Sequence, residues 1–113
     1  MEFPKRGELW VVNLDPTIGA EIKKRRQAVI ISNDINNQYS RTVTILPVTD
    51  KGKKIYPFEV RLQPRGTDLT KESKIKCQQI RTVDKQRIVA RLGALDHDQV
   101  MQVERALRVH LEI

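Results

Sequence analysis

The stretch Lys23-Lys24-Arg25-Arg26-Gln27-Ala28-Val29-Ile30-Ile31-Ser32-Asn33-Asp34 (KKRRQAVIISND) sets a run of cations directly against a run of aliphatics. The aliphatic half, residues 27–33, is unbroken by polar alternation, the pattern of a β-strand buried on both faces. The basic half either keeps a loop solvated, as charge runs usually do, or gathers an anion where the strand begins. What else the chain brings to that end decides between the two.

Before this stretch, residues 8–15 (ELWVVNLD) read as a first strand. The connection over residues 16–26 has no helical periodicity and carries Pro16, Gly19 and the basic run; a loop this long between neighbouring strands is more often functional than a short turn. After the stretch, residues 34–40 (DINNQYS) form a polar turn with room for one helical turn. Residues 42–49 (TVTILPVT) form a third strand whose Pro47 points to a sheet edge or a bulge. Residues 50–54 (DKGKK) read as a hairpin loop, residues 55–62 (IYPFEVRL) as a fourth strand and residues 64–68 (PRGTD) as a turn. Residues 74–80 (KIKCQQI) alternate as a fifth strand, with Ile75 and Cys77 inward, the lysines outward and Gln79 on the inward parity.

Residues 83–88 predict one helical turn capped by Asp84, followed by a short strand through Leu92. Asp96 then caps a terminal helix, with Gln99 three residues on and Leu95 and Val100 at the spacing of a hydrophobic staple. Val100, Val103, Leu107 and Leu111 line one face of it, opposite Glu104, Arg105 and Arg108. The expected fold is mainly β (α+β): a small, mostly antiparallel β-barrel closed by a C-terminal α-helix.

The chain has 113 residues and no repeat, low-complexity segment or linker, so a single domain over residues 1–113 is expected. Lys and Arg number 21 against 14 Asp and Glu, a formal charge of +7 that favours an anionic partner such as nucleic acid or an acidic protein segment. The single Cys77 cannot form an internal disulfide and reads as a small buried side chain, which implies a reducing compartment. No apolar run reaches bilayer length and residues 1–5 lack the pattern of a signal peptide, so a cytoplasmic protein with no membrane segment is expected. His97 and His110 fall on the surface of the terminal helix and, with Cys77, show no ligand spacing; no metal and no cofactor is expected. Trp10 reads as a core residue rather than a base-stacking platform.

If the second and third strands are neighbours, the chain leaves the basic loop at Arg26, turns, and returns to finish at Thr49. A guanidinium and a hydroxyl then share one end of the sheet, beneath a loop whose Lys23, Lys24 and Arg25 attract a phosphodiester; Arg81 joins them if the fifth strand ends nearby. Guanidinium suits this work because its planar fork holds two phosphate oxygens and stays charged at physiological pH.

Three segments together, GELWVVNLDPTIGAEIKKRRQAVIISND at residues 7–34, ILPVT at 45–49 and QIRTVDKQRI at 79–88, resemble the MazF/PemK toxins. The last, with LGALD and a terminal helix behind it, is the most specific. The resemblance implies an SH3-like barrel, a homodimer, a sequence-specific endoribonuclease acting on single-stranded mRNA, and neutralisation by a MazE-type antitoxin. Residue by residue, it assigns catalysis to Arg26 and Thr49 and places Gln79, Arg81 and Asn33 on the RNA-binding side. The chain departs from the family pattern in carrying Gln27 where a proline commonly follows the arginine, Ala20 where a small polar residue is common, and Gln78 where an acid is frequent.

RNA carries its own nucleophile, the 2′-hydroxyl, so the implied reaction needs alignment and charge stabilisation rather than a metal, and leaves 2′,3′-cyclic phosphate and 5′-hydroxyl ends. Arg26 is the electrostatic clamp in this reading, and Thr49 positions a phosphate oxygen or relays a proton. Two alternatives stand beside it. The barrel also resembles that of CcdB, a toxin that binds DNA gyrase without being a nuclease, for which Arg26 beside Thr49 has no use. A plain RNA-binding module would keep the charge and leave Thr49 dispensable.

Overall fold

The computed structural model describes residues 3–14, 19–20, 25–50, 52, 54–62 and 72–113. Its elements run β1 (Glu8–Asn13), β2 (Arg25–Ile30), α1 (Asp34–Tyr39), β3 (Thr42–Thr49), β4 (Glu59–Leu62), β5 (Ser73–Lys76), a 3-10 turn (Cys77–Gln79), β6 (Arg81–Asp84), a second 3-10 turn (Lys85–Arg87), β7 (Ile88–Ala94) and α2 (His97–Leu111). All strand pairings are antiparallel, in one seven-stranded sheet ordered β4-β5-β3-β2-β1-β7, with β6 also on β3. The fold is the expected mainly β, barrel-like one with a C-terminal helix, but among the described residues the sheet is not closed, because β4 and β7 end the strand order unpaired with each other.

Both faces of β2 are buried, as its aliphatic run requires. Leu9, Val29, Ile31, Leu46 and Val48 belong to the core beneath α2, which contributes Val103 and Ala106. The intervening residues Val12, Ala28, Ile30, Val43 and Ile45 form a second core on the other face. Each fully buried aliphatic contributes about 1.5–3 kcal/mol. Trp10 packs against the second core, as read, and donates its indole N–H to Glu8 Oε1 at 3.1 Å.

Local signals placed two of the N-terminal caps correctly. Asp96 Oδ1 accepts from the Gln99 N–H at 2.9 Å, and Asp84 Oδ1 from the Gln86 N–H at 2.8 Å. Leu95 and Val100 share the α2 core, but Leu111 is 46% exposed, so the apolar face loses its cover one turn before the helix ends. Gly7 joins this region to β2: it adopts φ 89, which L side chains rarely take, while its N–H donates to Ile30 O and its carbonyl accepts from Leu95 N.

Four expectations are corrected. Pro47 stands in a central strand, buried and paired across from Ala28. The Thr44 carbonyl and N–H both face the β2 side, bonding Ile31 N and Ser32 Oγ, so by alternation the Pro47 backbone faces the other edge. There β6 pairs as far as Ile45 and β5 starts at Val48, so the missing donor falls in the gap between partners. The fourth strand begins at Glu59 rather than residue 55, and the fifth ends at Lys76, where the 3-10 turn cancels the inward parity of Gln79. Lys74, read as outward, is buried against Glu59 at 3.0 Å.

Candidate RNA-cleaving site

The basic run does not stop where the strand begins: Arg25 and Arg26 are the first two residues of β2, paired with Asn13 and Val12. On the other side of β2 the register sets Ile30 against Ile45 and Ala28 against Pro47. Carried two residues on, it sets Arg26 across from Thr49, the last residue of β3, both half-buried. Facing residues of antiparallel strands lie about 4.5–5.5 Å apart at Cα, so a guanidinium and a hydroxyl from these positions reach a common phosphate. Both follow the parity of Ala28, Ile30 and Ile45 and therefore close one end of the second core.

Arg81, first residue of β6, pairs with Ile45 and so shares this face, four residues along β3 from Thr49. Gln79 ends the preceding 3-10 turn; Ala20, Gln78, Gln79, Ile80 and Arg81 line a cavity of about 360 Å³. Thr49 lines another of about 390 Å³ with Asp50, Gly52, Ile55, Arg61, Glu72, Ser73 and Lys74. Arg61 and Lys74 are cations here that sequence alone offers no reason to select, because their place depends on β4 and β5 pairing beside Thr49.

The remaining expected residues divide. Arg25 is exposed and, by strand alternation, turns to the face opposite Arg26, so the two adjacent arginines do not serve one pocket. Asn33 is set apart: its Oδ1 caps α1 by accepting from the Asn36 N–H at 2.8 Å, and about 20 Å of extended chain separates it from Arg26. Lys23 and Lys24 lie outside the described residues.

Burial decides the chemistry of the neighbouring groups. Cys77 is fully buried, and burial, with the Glu59 charge nearby, pushes its thiol up to about 12, so it is no nucleophile. Burial also pushes the Glu59 carboxyl up, but hydrogen bonds from Gln78, Lys74 and the Tyr56 N–H, with the attraction of Lys74, outweigh it and hold the group below the ordinary carboxylate value. His97 and His110 are exposed on α2, as read.

The chain matches the family of PemK-like, MazF-like toxins of type II toxin-antitoxin systems over residues 5–111. It is 35% identical over 114 residues to endoribonuclease MazF9 of Mycobacterium tuberculosis, an alignment covering 96% of this chain and 97% of that protein. The crystal structure of MazF from Deinococcus radiodurans is similar to it with a TM-score of 0.87 at 27% identity, covering 100% of both chains. A MazE-MazF structure from the same organism gives a TM-score of 0.79 at 26% identity, over 100% of this chain and 99% of that one.

Proposed function

Since the chain belongs to the PemK-like, MazF-like toxin family, we propose that it is a toxin acting as a sequence-specific endoribonuclease on single-stranded mRNA. The observation that supports this reading is the β2–β3 register, paired through Ala28 and Pro47, which extended by two residues brings Arg26, at the start of β2, opposite Thr49.

The reaction needs no nucleophile from the protein. The 2′-oxygen of the nucleotide before the cut attacks phosphorus, and the bond to the 5′-oxygen breaks. The 2′-proton is lost and the leaving oxygen takes one up, giving a 2′,3′-cyclic phosphate and a 5′-hydroxyl. Negative charge grows on the phosphoryl oxygens as this happens, and a fixed guanidinium there accelerates the step by about a hundredfold to a thousandfold. Arg26 fills that role. Thr49 holds a phosphate oxygen or relays a proton, which fixes the in-line geometry of attack. Gln79 and Arg81, lining their own cavity on the same side, take the neighbouring nucleotides. Lys23, Lys24 and Arg25 supply the sequence-independent attraction to the backbone. No metal or cofactor enters this scheme.

We further propose a homodimer in the cytoplasm, with residues 1–113 as one domain. Val109, Leu111 and Ile113, at and just beyond the end of α2, are 48%, 46% and 82% exposed, apolar side chains of the kind that pairing covers. No helix among the described residues is long and apolar enough to cross a membrane. The formal charge of +7 suits an antitoxin of the MazE type with an acidic, disordered segment lying over the cationic end.

The test is to incubate the purified protein with mixed-sequence single-stranded RNA in chelator and sequence the ends. Cuts at a small set of sites, with 2′,3′-cyclic phosphate and 5′-hydroxyl termini, are expected. Termini with 5′-phosphates, or cutting only after a divalent ion is added, would overturn the reaction as written.

A further inference from the structure

A carboxylate removed from water needs a donor for each oxygen, and the donors Glu59 has found come from both halves of the site. Its side chain is 1% exposed. Oε1 accepts from Lys74 Nζ at 3.0 Å and from the Tyr56 N–H at 3.2 Å, and Oε2 accepts from Gln78 Nε2 at 2.8 Å. Lys74 is the β5 residue paired with Thr49, and its ammonium also donates to Lys54 O at 3.0 Å, fastening the segment that follows Thr49. Gln78 precedes Gln79 in the 3-10 turn that leads to Arg81.

The Gln78 amide is oriented by chemistry. Turned over, it would set its oxygen against the carboxylate; as placed, its Oε1 is buried with no partner among the described residues.

From this geometry we infer that Glu59 is a positioning residue: through Lys74 and Gln78 it fixes the strand carrying Thr49 and the turn that carries Gln79 and leads to Arg81 in one relation to the RNA. The inference rests on the proposed Arg26–Thr49 site and says what aligns it. The requirement is for one carboxylate and one carboxamide facing each other at positions 59 and 78 beside Lys74. A carboxamide at position 59 removes the counter-charge of the buried Lys74, and it bonds Gln78 fully only if one of the two amides turns over. An acid at position 78 would set two carboxylates in contact, which cannot both ionise. Exchanging the two groups preserves the chain of bonds: the carboxamide then at position 59 accepts from Lys74 and donates its N–H to the carboxylate then at position 78.

The experiment compares Glu59→Gln, Gln78→Glu and the double exchange for single-turnover cutting of a single-stranded RNA oligonucleotide at saturation, with RNA affinity and thermal melting measured alongside. Misplacement of about 1 Å lowers rate about a hundredfold, which is the loss expected of each folded single variant, with affinity held within about twofold and most of the rate returned by the exchange. Folded single variants cutting at the wild-type rate would overturn the inference, as would a folded exchange variant no faster than either. Where a single variant melts below the assay temperature, the exchange variant decides alone by the same criterion. Thr49→Ala is run beside them. If it cuts at the wild-type rate, the site reading falls and this inference with it; a slow Thr49→Ala beside a fast Glu59→Gln removes only the inference.

Discussion

Replacing Lys74 by methionine keeps most of the side chain's volume and removes its charge. Two hydrogen bonds of 3.0 Å disappear, to Glu59 Oε1 and Lys54 O, and a carboxylate that is 1% exposed loses its counter-ion. Removing one partner of a buried pair costs about 3–5 kcal/mol. Glu59 keeps its bonds from Gln78 and the Tyr56 N–H, so the low end applies, and about 3 kcal/mol corresponds to a melting temperature lower by about 13 °C for a chain of this length. Lys74→Met/Glu59→Gln leaves no buried charge unpaired and retains an acceptor for Gln78, so it recovers about 2 kcal/mol of that loss. The pH dependence follows the same pair. The folded Glu59 carboxyl titrates below its unfolded value, so its contribution is whole above the unfolded carboxylate range, about pH 4.3, and is lost as pH falls through the lowered folded value. The double variant lacks that acid-side loss. Urea unfolding of wild type, the two single variants and the double variant across acid pH measures all of this. A Lys74→Met variant within about 1 kcal/mol of wild type, or a double variant no more stable than the single, would refute the reasoning.

Asn33→Ala removes the α1 cap and lowers stability by about 1 kcal/mol in urea unfolding, while cutting at saturating RNA stays at the wild-type rate. Asp96→Ala does the same at α2, read by the same unfolding measurement. Cys77, buried with its thiol pushed up to about 12, reacts with a thiol reagent at pH 8 only as fast as the protein unfolds, which adding denaturant during a spectrophotometric assay checks.

Legibility in the sequence followed the range of the interactions. The unbroken aliphatics of β2, the span of β3 and the caps at Asp84 and Asp96 depend on neighbours a few residues away, and all of these could be read. The Asn33 cap was equally local, since Asn36 stands three residues on; the resemblance drew attention to RNA instead. What stayed hidden is set across the sheet. β6 has four residues, mostly polar, and exists because β3 offers it an edge over residues 42–45. Pro47 escapes the rule against central prolines only because β3 changes partners at that point. Lys74 is buried because Glu59 lies opposite its strand, fifteen residues away in the chain. For the site, sequence supplied Arg26 and Thr49 as residue types at plausible strand ends; the register at Ala28 and Pro47, from which their facing positions are extended, came with the structure.

That juxtaposition is the central claim, and single-turnover cutting at saturating RNA tests it most directly. Arg26→Ala and Thr49→Ala are compared with Lys23→Ala and Lys24→Ala, and affinity is measured against salt. If Arg26 stabilises developing charge and Thr49 aligns the phosphate, both of their variants bind RNA and lose about a hundredfold or more in rate. The lysine variants cut at the wild-type rate once saturated, with weaker binding and a flatter salt dependence. Arg26→Ala and Thr49→Ala cutting at the wild-type rate under saturation would contradict the account and reduce the basic run to a patch that attracts RNA without acting on it.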